Sequence, residues 1–440
     1  MALAACGGSK IHHPPPPDPP RCGDGNIDAV NGEQCDGTNL GDATCETQGF
    51  DRGSLGCNAT TCQYDTTLCE KHCGDGTVNF GEACDGDAGV MVCPSFGFNA
   101  CKADCTIDVS HCVATLLSAG PGLTQVSGGS SELGDVDPKG PGDLVMVVPG
   151  FYRVETFAYV MGQGFPTSRK LSFLRTPVQA IPGDLDGDGH QDVAVRNDDG
   201  SLDAYLSGSN QFTLAAFPDA GCGFSKLLGV DSTGQVVGVG CADGGVSGAG
   251  LFAHGLANAP RQVTASATAA TAADYDHDGT LDLLAVSAGG GLTVDPGTAG
   301  AQKSLTLPSA PSELSAGDFD GDNDLDLLVI QGGAARAWEN TGLGFAERQS
   351  FAGTNPTLPK VVDLDLDGLP DALWIENGGL QVRRNNGNFS FASSQYPLGA
   401  GTPLSLNVGD VDGDGDPDVA VTFSTGGSAT QSYLLLNQVR

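Results

Sequence analysis

Basic residues are scarce in this chain: 20 Lys and Arg stand against 54 Asp and Glu in 440 residues, a formal net charge of −34. Nucleic acid and anionic membrane surfaces would be repelled, so neither is expected as a partner. No stretch is apolar over the ~18 residues a spanning helix needs, so no segment is expected to cross a bilayer. Also missing are the Gly-x-Ser-x-Gly elbow, the His-Glu-x-x-His helix and a phosphate loop of the Walker kind. Carboxylates are abundant, but almost all belong to repeated loops, so no glycosidase-type acid pair stands out and no catalytic residue is nominated. Only two tryptophans, Trp338 and Trp374, are available to an aromatic surface patch. Glycine, by contrast, is plentiful at 66 residues, which with low Lys and Arg fits many turns and few helices.

One nine-residue pattern, Asp-x-Asp-x-Asp-(Gly/Asn)-x-x-Asp, occurs five times. Its carboxylates are Asp184, Asp186, Asp188 and Asp192; Asp274, Asp276, Asp278 and Asp282; Asp318, Asp320, Asp322 and Asp326; Asp363, Asp365, Asp367 and Asp371; and Asp410, Asp412, Asp414 and Asp418. Three of each set fall at alternate positions of a tight loop and can turn inward on one hard cation. Gly189, Gly279, Asn323, Gly368 and Gly415 stand where the loop needs a left-handed turn to close. The spacing suits calcium, about five ions in all; a merely solvated acidic face would show scattered spacing. His190 and His277 lie inside these loops and read as solvated filler. An EF-hand or dockerin loop needs an acidic twelfth residue carried on a helix. Here that position is Val195, Ala285, Val329, Trp374 or Val421, inside apolar runs such as Leu327-Leu328-Val329-Ile330 that read as buried strands. The loops therefore connect strand to strand.

Two weaker units complete the series, one at Asp135, Asp137 and Asp143 and one around Asp231, so that starts at 135, 184, 231, 274, 318, 363 and 410 lie 43 to 49 residues apart. Between starts the text holds about four short strand-like runs, a period and content that mark a propeller blade. The expected fold class is all-β, with a seven-bladed β-propeller over residues 113–440. The last blade ends one outer strand short, and Val113-Ala114-Thr115-Leu116-Leu117-Ser118 is expected to pair with it and remove an exposed edge.

These units resemble the FG-GAP or VCBS repeat, the calcium-loop blade of the integrin alpha-subunit propeller and of many bacterial surface proteins. Besides the Asp pattern, Asn340-Thr341-Gly342-Leu343-Gly344-Phe345 resembles the Asn-x-Gly-x-Gly-x-Phe turn of that family with one residue fewer before the Phe, and Asn386-Gly387-Asn388-Phe389 is a shortened version. The resemblance implies metal-ligand roles for the aspartates above. It also implies a structural and binding role rather than a reaction, with ligands on the face away from the calcium loops.

Two units depart from the pattern. In the first, Lys139 replaces the third carboxylate and Pro138 and Pro141 stiffen the loop, so its site is expected to be empty or weak. In the third, the turn Asp231-Ser232-Thr233-Gly234 has no metal set. That unit holds Cys222 and Cys241, which a hairpin about residues 232–233 would set nearly opposite each other. A disulfide there, worth about 3 kcal/mol in the chain-entropy model, would staple what calcium staples elsewhere; two unpaired buried thiols are the alternative.

The other cysteines are Cys6, six from Cys22 to Cys69 and six from Cys73 to Cys112. Both sets of six open alike, Cys22-Gly23-Asp24-Gly25 leading to Gly32-Glu33-Gln34-Cys35-Asp36-Gly37, and Cys73-Gly74-Asp75-Gly76 leading to Gly81-Glu82-Ala83-Cys84-Asp85-Gly86. A duplicated module this small cannot support itself by an apolar core, so three disulfides in each are expected, with connectivity open. Zinc is disfavoured because no Cys-x-x-Cys knuckle occurs. The wording resembles the myxobacterial cysteine-rich surface repeat. Leu3-Ala4-Ala5-Cys6-Gly7 resembles a bacterial lipobox, although only five residues precede Cys6; either the start lies further upstream or the match is chance. His13-Pro14-Pro15-Pro16-Pro17-Asp18-Pro19-Pro20 follows, an extended polyproline tether.

The organisation expected is a lipobox and tether over 1–21, cysteine-rich modules over 22–72 and 73–112, and the propeller over 113–440. Such a chain reads as a monomeric, secreted or outer-membrane-anchored binding or adhesion protein in an oxidising compartment, touching a membrane only through a lipid on Cys6. Its partner would be a surface protein or glycan. A polysaccharide-active lyase or hydrolase on the same scaffold is the alternative, and would need an acid, base and aromatic cluster at one blade top.

Overall fold

A computed structural model describes residues 22–50, 52–70, 84, 100–102, 105–108, 117–119 and, with short gaps of which 241–248 is the longest, 129–439. Cys6, the tether, Lys139, Cys222 and Cys241 lie outside the described residues. The chain divides into two compact units, one formed chiefly by residues up to Ser110 and one running from His111 to Arg440.

The first unit is held by covalent bonds rather than by a core. Cys22 pairs with Cys62, Cys35 with Cys57 and Cys45 with Cys69. In the second module Cys84 pairs with Cys101, which repeats the Cys35–Cys57 bond at equivalent places in the duplicated set. The repeated wording has a physical reason. The Asp36 carboxylate accepts the backbone N–H groups of Gly23, Asp24 and Gly25 at 2.9 to 3.2 Å, so Cys-Gly-Asp-Gly is a turn folded around the aspartate after the second cysteine.

The second unit is all-β, as the apolar runs between loops predict. Seven four-stranded antiparallel sheets occupy residues 131–172, 177–216, 224–262, 269–306, 313–351, 357–397 and 402–437. Their first strands are Ser131–Gly134, Pro177–Gly183, Phe224–Val230, Ala269–Ala273, Glu313–Gly317, Thr357–Val362 and Thr402–Gly409. Each first strand neighbours the next, and the seventh neighbours the first, which closes a ring. The second strands are buried along most of their length, and Asp143–Val148, Asp282–Val286 and Asp371–Glu376 throughout. Sandwiched sheets bury both faces, which is why these segments read as unbroken apolar runs rather than as alternating ones.

The seventh sheet is completed from the other end of the unit. Leu117–Ala119 pairs antiparallel with Ala429–Asn437, Leu117 opposite Asn437 and Ala119 opposite Leu435. The expected clasp is present at these residues, while 113–116 lie outside the described ones. Leu117 is 2% exposed and joins the apolar core between the sixth and seventh sheets. The first and seventh sheets share an apolar core too, with Leu144 and Met146 clustered with Ala420 and Leu434, and add a buried seam in which the Ser131 hydroxyl contacts those of Ser405 (3.2 Å) and Thr422 (2.7 Å), and Thr422 contacts Ser432 (2.7 Å).

Both tryptophans prove to be core residues, Trp338 at 0% and Trp374 at 1% exposure. Trp374 packs against Phe351 at 5.2 Å with the Arg383 guanidinium 4.8 Å from its ring. Neither can serve a surface patch, because both lie on strand faces turned against a neighbouring sheet.

Candidate metal centres

Each acidic loop joins the first strand of a sheet to its second, so all five lie at one end of the ring. The left-handed turns expected at the sixth loop position are present at Gly189 (φ 86°), Gly279 (87°), Asn323 (67°), Gly368 (89°) and Gly415 (90°). Their N–H groups donate to the first aspartate of the loop at 2.8 to 3.0 Å. The fourth position is left-handed too, and His277 (59°) and Leu366 (58°) adopt there a conformation costing on the order of 1 kcal/mol. His277 is no filler: its Nε2 lies 2.7 Å from the Asn323 carbonyl of the next loop, a contact that only the ring brings about.

In every loop the first, second and fourth carboxylates converge. One oxygen from each of Asp184, Asp186 and Asp192 lies within 4.8 Å of the others, and the same holds for Asp274, Asp276 and Asp282, for Asp318, Asp320 and Asp326, for Asp363, Asp365 and Asp371, and for Asp410, Asp412 and Asp418. The third carboxylates stand outside these groups. Asp188, Asp278, Asp322, Asp367 and Asp414 each accept, through Oδ1, the backbone N–H two residues on at 2.8 to 3.1 Å.

The fourth aspartate does more than line a site. One of its oxygens accepts the N–H of the second loop residue, Leu185, Tyr275, Phe319, Leu364 or Val411, at 2.8 to 3.1 Å. The other accepts an N–H at or just past the end of the third strand, from Ser207, Gly297, Asn340, Asn385 or Asn437, at 2.6 to 2.9 Å. Asp143 of the worn first loop keeps the first of these bonds, to Val136 at 2.8 Å. The bracket therefore survives where the metal set does not. In the third sheet Asp231 instead caps its own turn, accepting the N–H groups of Thr233 and Gln235 at 2.9 Å.

Desolvation pushes these carboxyls upward: Asp326 and Asp418 reach about 7, although each accepts two N–H bonds, and Asp371 lies well above the ordinary value, with the field of Asp365 adding to its burial. Asp365 is fully buried and reaches about 7 through desolvation and the neighbouring Asp367. Neither of its oxygens has a hydrogen-bond partner, and Arg384 is 3.7 Å away. A buried carboxylate without donors, aimed into a cluster of other oxygens, is the arrangement a divalent cation completes. The residues present fit a hard cation with oxygen ligands.

Successive loops are also joined. Asn385 Nδ2 donates to the Phe319 carbonyl of the preceding loop (2.9 Å), and Asn437 Nδ2 to that of Leu364 (2.6 Å). Because Phe319 and Leu364 donate to Asp326 and Asp371, and Asn385 and Asn437 donate to Asp371 and Asp418, an unbroken relay runs from Asp326 to Asp418. The counterpart of the Asn340 turn is Asn385 rather than Asn386, since Gly342 and Gly387 donate alike to the Asn340 and Asn385 side chains at 3.0 Å. The signal available for this role was an asparagine fourteen residues after the fourth aspartate in two units, Asp326 to Asn340 and Asp371 to Asn385.

Residues 363–421 match the family model of the FG-GAP-like repeat. No curated protein sequence matches the chain. Among solved structures, two crystals of BBS1N in complex with ARL6DN, soaked with mercury or lead, are similar at 12% identity, with TM-scores of 0.50 and 0.52 and coverage of 74% of this chain and 98% of theirs. A streptogramin B lyase structure is similar at 12% identity and a TM-score of 0.49, covering 73% of this chain and 97% of its own. At these identities the likeness is one of fold alone.

Proposed function

We propose that the chain is a calcium-stabilised binding protein of the cell surface or extracellular space, not an enzyme, whose ring presents a protein or glycan ligand surface at the end opposite the acidic loops. The observation that carries this reading is a patch at that end of the first sheet. Phe151 and Tyr152, in the turn between the second and third strands, and Leu174, in the link to the second sheet, are 60%, 53% and 96% exposed. The Phe173 N–H donates to the Tyr152 carbonyl at 2.8 Å, holding the two segments together, and the Arg153 guanidinium lies 4.5 Å over the Phe151 ring. Covering one such side chain recovers about 2 kcal/mol, and exposed rings beside a charged pair, here Arg153 and Glu155, suit a sugar or a protein loop.

Calcium at the five clusters would offset carboxylate repulsion that the metal-free loops must bear, with dissociation constants on the order of 0.1 to 1 mM as in extracellular modules. Four disulfides among the described residues fit an oxidising, extracellular compartment. Among the described residues no helix is long and apolar enough to cross a membrane. A lipid on Cys6 would tether the body to a membrane.

Two measurements on the full chain test this. Phe151→Ser with Leu174→Ser should lower binding to a glycan array or to purified surface proteins at least tenfold with an unchanged melting temperature. Wild-type binding by the double variant would remove the patch from the reading. EDTA should lower the melting temperature and native mass spectrometry should count about five calcium ions; an unshifted melt with no bound metal would remove calcium.

A further inference from the structure

The first strands of the seven sheets enclose a cavity of about 870 Å³ inside the ring. Its wall is mostly hydroxyl, amide and aliphatic, but five charged side chains reach it: Glu132, Arg196, Lys226, Glu313 and Lys360. Glu313 is already committed, since it accepts the Thr357 hydroxyl and the Leu358 N–H, each at 2.7 Å. Glu132, Lys226 and Lys360 come from the first, third and sixth sheets, and none makes a hydrogen bond or ion pair with a described residue.

Strand register places the three at nearly one level. Glu132 pairs with Val145 and Lys360 with Leu373, each two residues beyond the loop-proximal pair, while Lys226 pairs with Val239, one residue further along its bulged strand. The interior of this strongly acidic protein thus carries more cationic than free anionic groups. Two ammonium groups, both accessible, face this shared polar space, and Glu132 is the one carboxylate of the wall not already held by hydrogen bonds, so the lysines remain open to an added anion.

We propose that this cavity is a binding site for a small organic anion, a carboxylate or a phosphate ester, held between Lys226 and Lys360. The volume is that of a small-molecule site, and the hydroxyls of Thr271 and Ser315 on the same wall offer hydrogen bonds to the remainder of the ligand. Glu132 regulates access. Desolvation within the ring holds its carboxyl up to about 7, against the fields of Lys360 and Lys226. Below that pH it is neutral and the cavity is net cationic; above it, the carboxylate repels an anion and competes for the same lysines. Arg196 and Glu313 complete the charged lining.

The test is titration calorimetry of the calcium-loaded full chain with succinate, with glucose 6-phosphate, and with glucose as the neutral control. One of the two anions should bind in the micromolar to low millimolar range and glucose should not; which of them binds assigns the carboxylate or the phosphate source. Lys226→Met with Lys360→Met should weaken binding about a hundredfold at an unchanged melting temperature. Affinity should fall about tenfold between pH 6 and pH 8 in the wild type and stay level in Glu132→Gln. Failure of both anions to bind, or wild-type affinity in the double lysine variant, would overturn the proposal, and neither result would touch the patch at Phe151 or the calcium loops.

Discussion

Sheets five to seven and sheets one and three share an architecture, yet they hold the same end of the ring in different ways. In the former, each loop carries four aspartates, a fourth-aspartate bracket and an asparagine, and Asn385 and Asn437 join one loop to the next. In sheet one the bond from the Val136 N–H to Asp143 remains although the sequence has Lys139 at the third loop position. In sheet three Asp231 closes a four-residue turn with its own carboxylate. The strands do not register the difference, since second strands are buried in all three cases. In both classes a carboxylate accepts backbone N–H groups at this end of the sheet, whether or not the loop carries the converging acidic set.

Chelation should break the comparison most forcefully. If each ion contributes about 1 kcal/mol at millimolar free calcium, EDTA should lower the melting temperature by about 7 °C. Amide exchange should rise at 184–192, 274–282, 318–326, 363–371 and 410–418, while the turn at 231–234 and strand Asp143–Val148 stay as they were. An equal rise in all seven sheets would mean that the two classes do not differ. Next in size is deletion of Leu117–Ala119, which bares the edge of Ala429–Asn437 and loses a buried leucine. A fall of about 5 °C and the appearance of dimers by light scattering are expected; an unchanged melt would dispose of the clasp.

Single substitutions in two different loops sharpen the distinction between bracket and ligand. Asp143→Ala should cost about 2 kcal/mol in urea unfolding whether or not calcium is present, because a buried N–H loses its acceptor. Asp186→Ala, which loses only the exposed Asp188 N–H at 3.2 Å, should cost stability chiefly in calcium. Equal calcium dependence for the two would erase the distinction. The smallest expected effect is that of Asn385→Ala, about 1 to 2 kcal/mol from the buried Phe319 carbonyl and the part-buried Pro370 carbonyl, left without this donor. Its signature is a weakened calcium affinity at two loops, Asp318 and Asp363, rather than one, read from site-specific aspartate-to-asparagine backgrounds.

Much of this was legible because it is local in sequence. The loop ligands fall within nine residues, the left-handed sixth position has a glycine or asparagine, and the buried second strands announce themselves as runs such as Leu327 to Ile330. The clasp at Leu117 could be deduced by counting strands. What escaped depends on contacts between sheets. Nothing near Asn437 in the sequence points to the Leu364 carbonyl, and His277 resembles filler until the next loop is brought 2.7 Å from it. Trp338 and Trp374 were open to being surface residues because composition cannot tell which face of a strand meets a neighbour. The disulfide order of the first unit was likewise closed to arithmetic, since six cysteines permit fifteen pairings.

The pairing of Leu117–Ala119 with the last strand also sets a clock on biosynthesis. Six of the sheets are uninterrupted meanders whose strands emerge from the ribosome consecutively, so each can form as soon as it is made. The seventh cannot. Its outer strand is synthesised before any other strand of the ring and must wait for Asn437, which at ordinary elongation rates is a delay on the order of half a minute. Throughout that interval the nascent ring is an open arc with an unpaired strand at its leading end, and the last event in its maturation is the return of its earliest-made piece.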